Sequence, residues 1–263
     1  MRNPPQTRES ILARILSLPV LARVGTAVLD AVLPPHCVSC DAPVGAPGQW
    51  CPACFRRVRF VTEPCCHRCG APFASRQRGG IGQHCPDCTS SPPPWREARA
   101  AMVYDDESRK LVFALKYGDR LEIARTLAPH MARVGRTLLD RADMVVPVPL
   151  HRHRLFARRF SQSALLAQLL ARRARRPAVL DALCRTRRTA PLHTLSAERR
   201  RAEMEGAVDV RAHRREAVAG VRVLLVDDVL TSGATAAACA TALLRHGALE
   251  VDVLVAARVP AEW

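Results

Sequence analysis

Apolar residues from position 95 onward follow an alternating pattern of strands and helices. Residues 223–226 are all apolar, as a central strand of a parallel sheet requires, and residues 251–255 predict a second buried strand. Between them, residues 235–246 have helical periodicity and stop before Gly247, which suits a left-handed helix cap. This order predicts a right-handed βαβ unit and an α/β fold. The same pattern predicts strands at 100–104 and 144–148 and helices at 108–117, 121–139 and 161–175. Pro129 could kink or split the helix at 121–139.

Composition divides the rest of the chain. Residues 1–35 form a leader and an amphipathic helix, and residues 36–90 are rich in Cys, Gly and Pro. Consecutive prolines at 92–94 predict a stiff linker to an α/β domain over 95–263. No apolar run reaches the roughly 18 residues that a transmembrane helix needs, and no cleavage signal follows the N-terminal helix. We therefore predict a cytoplasmic protein without a membrane span.

Nine of the 11 cysteines lie between positions 37 and 88, and eight of them form CxxC pairs. This spacing suits tetrahedral Zn²⁺, and eight thiolates predict two closed structural sites. Thioredoxin-like redox chemistry is the alternative. The pairs could form successive ribbons or cross-brace each other, and Cys65 could exchange with Cys66. The predicted ligands are Cys37, Cys40, Cys51, Cys54, Cys66, Cys69, Cys85 and Cys88.

The chain is strongly basic, with 40 Lys and Arg against 24 Asp and Glu and a net charge of +16. That balance predicts attraction to polyanions or phosphorylated ligands. Residues 151–201 contain 14 arginines and only two acidic residues. A solvated surface would explain such a run, whereas phosphate or nucleic-acid binding would give it a function. For a single strand, the predicted contacts are Arg199, Arg200 and Arg201.

Two carboxylates and a hydroxyl-rich turn follow the strand predicted at 223–226. Asp227 and Asp228 stand at its carboxyl end, where ligands bind in open α/β sheets. The turn opens the next helix, so free N–H groups and the positive end of the helix dipole meet there. A phosphate would bind to the turn, and a sugar diol would bind to the two acids. The alternative interpretation is an ordinary capped helix that follows a strand. The predicted phosphate-binding residues are Thr231, Ser232, Gly233, Ala234 and Thr235.

The segment VLLVDDVLTSGAT at 223–235 resembles the phosphoribosyl-pyrophosphate (PRPP) motif of type I phosphoribosyltransferases. From about residue 34 the chain is similar to the ComF/GntX family, which joins a double zinc ribbon to a type I phosphoribosyltransferase-like domain. The segments at 115–119, 146–150 and 158–163 support this resemblance. The fold it implies is a parallel sheet flanked by helices.

The resemblance also implies a ligand and roles for particular residues. The turn would hold PRPP together with Mg²⁺, and Asp227 and Asp228 would bind the ribose and act as catalytic residues. Lys116 and Arg158 would contact the pyrophosphate. The segment at 158–163 departs from the family pattern at Arg159 and Ser161, where the family has Gly and Asn.

Three functions are compatible with these features. The protein could transfer the pentosyl group of PRPP, or sense PRPP or a similar phosphosugar without turning it over. It could also bind single-stranded DNA and act with the DNA-uptake machinery in competence. Pyrophosphate release would distinguish the enzyme from the sensor, and salt-dependent oligonucleotide binding would indicate the third function.

Overall fold

The computed structural model describes residues 34–75, 79, 81–117, 120–150, 160–190 and 195–260. The predicted leader and helix at 1–35 lie outside these residues, apart from Pro34 and Pro35. Two compact units make up the chain, Met1–Cys51 and Pro52–Trp263. Across the described residues, no helix combines the length and the apolar character needed to cross a membrane.

Residues 34–51 of the first unit form tight turns. The N–H of Cys37 donates to the carbonyl of Ala42 at 2.7 Å, and the N–H of Val38 donates to the carbonyl of Gln49 at 3.0 Å. So short a segment cannot bury a large apolar core. Metal binding is therefore the expected source of much of its stability.

The second unit is built on a four-stranded parallel sheet. Its order is β1 (Ala98–Val103), β6 (Glu250–Arg258), β5 (Arg222–Leu230) and β2 (Met144–Pro147). The two central strands are buried along most of their length, because helices cover both faces of a parallel sheet. The predicted α/β fold is confirmed, with β1 at the edge.

The described residues contain the helices α1 (Pro52–Arg57), α2 (Pro86–Ser90), α3 (Asp106–Tyr117), α4 (Glu122–Val134), α5 (Arg136–Arg141), α6 (Gln162–Ala174), α7 (Ala197–Met204), α8 (Arg215–Val218) and α9 (Ala234–Arg245). Short 3₁₀ turns lie at Ile81–Gln83 and Ala212–Arg214. Helix α9 shares a core with Val223, Leu225 and Val253. Helices α4 and α6 contact each other, and they contact β1, β2 and β5.

The helix predicted at 121–139 is divided, but not at Pro129. Pro129 lies inside α4, and the division falls at Gly135, between α4 and α5. A Cβ atom at Gly135 would lie 2.7 Å from both Cδ atoms of the buried Leu254, so a larger residue at this corner would force Leu254 to shift. The division between α4 and α5 therefore coincides with close packing against β6 and not with Pro129.

A two-stranded antiparallel sheet, β3 (Leu183–Arg185) with β4 (Val208–Val210), was not predicted. Each strand has three residues, which is too short for a two-residue period to be recognised in the sequence. The connection between the two strands includes α7. This small sheet places Arg185 near the carboxyl end of the main sheet.

Candidate functional site

The two predicted acids lie inside β5, which corrects their expected position beyond the strand end. Pairing of β5 with β6 continues through Asp227 as far as Leu230, opposite Arg258. The acids interrupt the apolar run at 223–226, but the backbone pairing continues because β6 is equally long. The N–H of Asp228 donates to Oδ1 of Asp227 at 2.9 Å, which holds the Asp227 side chain against the following peptide.

Two cations face this acidic pair. The Nζ atom of Lys116, in α3, lies 3.0 Å from Oδ1 of Asp228. Burial and the neighbouring Asp228 raise the pKa of Asp227 to about 7, and the positive charges of Lys116 and Arg185 partly offset this rise. Arg185, which β3 supplies, was not among the predicted site residues. An acidic pair of this kind favours an added cation or hydrogen-bond donor.

The turn at residues 231–235, the phosphate loop, leads from β5 into α9. Gly233 has a φ of 79°, a left-handed conformation that glycine adopts without strain. Within the described residues no side chain caps α9, so its first N–H groups remain available to a ligand. The Ser232 hydroxyl is also buried and has no partner there. An oxyanion at this helix end could accept from the N–H groups and from the hydroxyl.

A cavity of about 410 Å³ lies beside the phosphate loop. Arg200 and Arg201 of α7 line it together with Thr231, Ser232 and Gly233. Two of the three arginines predicted to bind nucleic acid therefore line the same cavity as the candidate phosphate site. Arg199 is exposed on the same helix. The predicted pyrophosphate contact Arg158 lies outside the described residues.

The cysteine pairs combine in chain order, which resolves the pairing in favour of successive ribbons. In each group the four sulfur atoms all lie within 4.8 Å of one another. Zinc–sulfur bonds of about 2.3 Å in a tetrahedron place sulfurs roughly 3.8 Å apart. The first group is Cys37, Cys40, Cys51 and Cys54, and the second group is Cys66, Cys69, Cys85 and Cys88.

Individual contacts agree with zinc coordination. The sulfurs of Cys40 and Cys51 are 3.6 Å apart, and those of Cys69 and Cys85 are 3.8 Å apart. The sulfur of Cys37 accepts the N–H of Cys51 at 3.2 Å. Burial raises the pKa of Cys37, but N–H donors, that of Cys51 foremost, outweigh burial and lower it to about 6. The thiolate that a metal requires is thus favoured.

Cys65 belongs to neither group. Its thiol lies 3.6 Å from a carboxylate oxygen of Glu63, to which it donates. Burial raises the pKa of Cys65 to about 12, so the thiol stays protonated. The two groups of four thiolates fit structural zinc without this residue.

Two known domain families match the chain. A double zinc ribbon domain matches residues 28–89, and a phosphoribosyl transferase domain matches residues 161–263. The DNA utilization protein YhgH of Escherichia coli (strain K12) is 35% identical over 84% of this chain and 96% of its own. Competence protein F of Haemophilus influenzae is 28% identical, in an alignment that covers 85% of this chain and 96% of the relative. Competence protein ComFC of Bacillus subtilis is 23% identical, in an alignment that covers 80% of this chain and 89% of the relative.

Proposed function

This chain belongs to the family of the DNA utilization protein YhgH and the competence proteins F and ComFC, and we propose that it binds PRPP or a similar phosphosugar with Mg²⁺ and acts in DNA uptake. The observation that carries the proposal is the phosphate loop, where the buried Ser232 hydroxyl has no partner among the described residues. The phosphate loop leads into the uncapped start of α9, and it follows the acidic pair Asp227 and Asp228 in the chain.

Each part of the site would bind one part of the ligand. The N–H groups of the phosphate loop and the hydroxyls of Thr231, Ser232 and Thr235 would hold the phosphate. Asp227 and Asp228 would accept hydrogen bonds from the ribose hydroxyls. Mg²⁺ would be held by the same carboxylates and would neutralise negative charge on the pyrophosphate. Oxygen ligands of this kind are those that Mg²⁺ prefers.

Pentosyl transfer, in which a nucleophile forms a bond to C1 of the ribose as the bond to pyrophosphate breaks, is the reaction that this arrangement would support. Lys116 lies 3.0 Å from Asp228, so its ammonium group can move between the carboxylate and a bound pyrophosphate. Its charge would stabilise the leaving pyrophosphate, while Asp227 and Asp228 would orient the ribose. Catalysis would come from positioning and charge neutralisation. A protein that binds PRPP without releasing pyrophosphate would instead be a sensor.

Calorimetric titration of the zinc-loaded full chain with PRPP and Mg²⁺ tests the binding step. The double variant Asp227→Asn with Asp228→Asn should bind about a hundredfold more weakly or worse, because each hydrogen bond to a charged group contributes about 1.5–3 kcal/mol. Asp143→Asn is the matched control, since Asp143 pairs with Arg222 at the other end of β5. Unchanged affinity in a folded double variant would contradict the proposal.

Single-stranded DNA is the second candidate ligand, because Arg200 and Arg201 line the cavity beside the phosphate loop and the relatives include DNA utilization proteins. Each neutralised phosphate should contribute about −0.7 to the log–log salt slope. Replacing Arg199, Arg200 and Arg201 with Ala should flatten the slope by up to about 2. Replacing Arg172 and Arg173, exposed on α6, should not. A salt-insensitive complex would contradict DNA binding by these arginines.

We also propose that the protein functions in the cytoplasm. All 11 cysteines lie among the described residues and none of them forms a disulfide, and zinc-binding thiolates persist in a reducing compartment. Fractionation of cells producing the full chain should recover it with cytoplasmic markers.

A further inference from the structure

Arg258, the last residue of β6, connects two functional parts of the second unit. Its Nε atom donates to the carbonyl of Cys69 at 3.1 Å, and its Nη2 atom lies 3.7 Å from the Cys69 sulfur. Its Nη1 atom donates to the carbonyls of Leu230 at 3.1 Å and Thr231 at 2.8 Å. One guanidinium group therefore joins a predicted zinc ligand to the start of the phosphate loop.

These contacts favour a positioning role over direct ligand binding. The guanidinium is planar and presents its donors in a rigid fork. In Arg258 both sides of that fork bind backbone carbonyls, although the side chain also borders the cavity beside the loop. A displacement of Cys69 would consequently pull on the carbonyls of Leu230 and Thr231.

Trp95 provides a second, independent connection. Its indole Nε1 donates to the carbonyl of Arg68 at 2.7 Å, and Arg68 in return donates to the carbonyl of Trp95 at 2.8 Å. Arg68 lies between Cys66 and Cys69, so the indole is bonded to the turn that carries two ligands. A Cβ atom at Gly233 would lie 2.8 Å from Cη2 of Trp95, so the same ring packs closely against the phosphate loop.

We infer that the second cysteine group positions the phosphate loop through Arg258 and Trp95, so that metal bound there sets the loop's affinity for a phosphosugar. The residues would act as follows. Zinc would hold the turn at 66–69. Arg258 holds the carbonyls of residues 230 and 231, and the Trp95 ring packs against Gly233. The affinity part rests on the proposed function, whereas the positioning of the loop does not.

Hydrogen–deuterium exchange of the peptide that spans the phosphate loop and the first turn of α9, in which the N–H of Ala237 donates to the carbonyl of Gly233, tests the positioning step in zinc-loaded full-length protein without phosphosugar. Arg258→Met should speed exchange about tenfold or more, because several hydrogen bonds of a charged donor are lost. Zinc should remain at about two ions per chain, one for each four-cysteine group. Arg222→Met is the matched control, because Arg222 lies at the opposite end of the sheet and pairs with Asp143. Loop exchange as slow as in the control would overturn the inference.

Arg258→Lys keeps the inference testable if Arg258→Met fails to fold. Lysine retains the charge, but its single ammonium group cannot replace a fork that reaches Cys69 and Thr231 together. We expect faster loop exchange and at least about fivefold weaker PRPP binding, with the zinc content unchanged. Wild-type loop exchange in this variant would overturn the inference. If the wild-type protein does not bind PRPP, the proposed function fails, and loop exchange still decides the positioning role.

Discussion

The two cysteine groups have the same ligands but different surroundings. In the first group Cys40 is exposed and Cys51 is half-buried. All four cysteines of the second group are buried, and they form an apolar cluster with Ala71 and Phe73.

The second group is also bonded to the rest of its unit. Arg258 binds the carbonyl of Cys69, and Trp95 binds the carbonyl of Arg68. Metal chemistry alone therefore does not define what a four-cysteine site does. The first group, which includes an exposed cysteine, stabilises its own turns, whereas the second group, bonded to the last residue of β6, can also hold the neighbouring phosphate loop.

Loss of the second group should have the largest effect. In Cys66→Ser with Cys85→Ser, zinc should fall from about two ions per chain to about one. Metal binding supplies much of the folding energy of such segments, so the turns at 66–88 should lose their order. PRPP binding should be lost with them because Arg258 and Trp95 lose their partners. Metal analysis and calorimetry on the same preparation measure both changes.

We expect this variant to lose zinc and PRPP binding while the second unit keeps its overall fold. Far-ultraviolet circular dichroism should still show the helices and strands of the second unit, because β5 and β6 share a buried apolar core with α9. A zinc-deficient but folded variant that binds PRPP like the wild type would contradict the role of the second group.

Loss of the first group should be milder. In Cys37→Ser with Cys51→Ser, zinc should again fall to about one ion per chain. Loop exchange at 231–235 and PRPP affinity should stay within about twofold of wild type, because Arg258 and Trp95, which contact the loop, are bonded to Cys69 and Arg68 in a turn of the second group. Equal losses of PRPP affinity in the two cysteine variants would erase the distinction between the groups.

Trp95→Phe should have a small effect on the phosphate loop, well below that of losing the second group. Phenylalanine keeps an aromatic ring near Gly233 but removes the Nε1 donor to Arg68. Losing one such hydrogen bond costs roughly 1 kcal/mol, so loop exchange should rise by about fivefold at most. Hydrogen-exchange mass spectrometry measures the exchange rate of the loop amides. The matched control is Trp50→Phe, which removes the hydrogen bond from the indole to Ser39 in the first unit. Equal effects of the two substitutions at 231–235 would contradict the role of Trp95.

The sequence predicted the features that depend on neighbouring residues. The CxxC pairs and the strand, turn and helix around Asp227 are local patterns, and the structure contains each of them. The predicted end of β5 at residue 226 was wrong. The polar side chains at 227 and 228 gave no information about the backbone pairing with β6, which continues to Leu230. The division at Gly135 was missed because it coincides with a contact to Leu254, which is distant in the chain.

The contacts that join the two functional parts could not be predicted in this way. Arg258 and Cys69 are 189 residues apart in the chain, and the sequence around Arg258 has no motif that singles it out. Arg185 was visible only as one arginine of a basic run, because β3 was too short to predict. Such residues acquire their roles from the sheet order, which places the ends of β5 and β6 side by side.

Hydrogen exchange across the zinc-loaded full chain, with and without PRPP and Mg²⁺, tests the central claim most directly. We predict protection at 231–235, because the ligand would accept hydrogen bonds from the N–H groups there. Protection should extend to the turn at 66–69 through Arg258 and Trp95, and it should not appear at 37–51. Unchanged exchange at 231–235 in saturating PRPP would contradict ligand binding at the phosphate loop, and protection confined to that loop would contradict its connection to the second cysteine group.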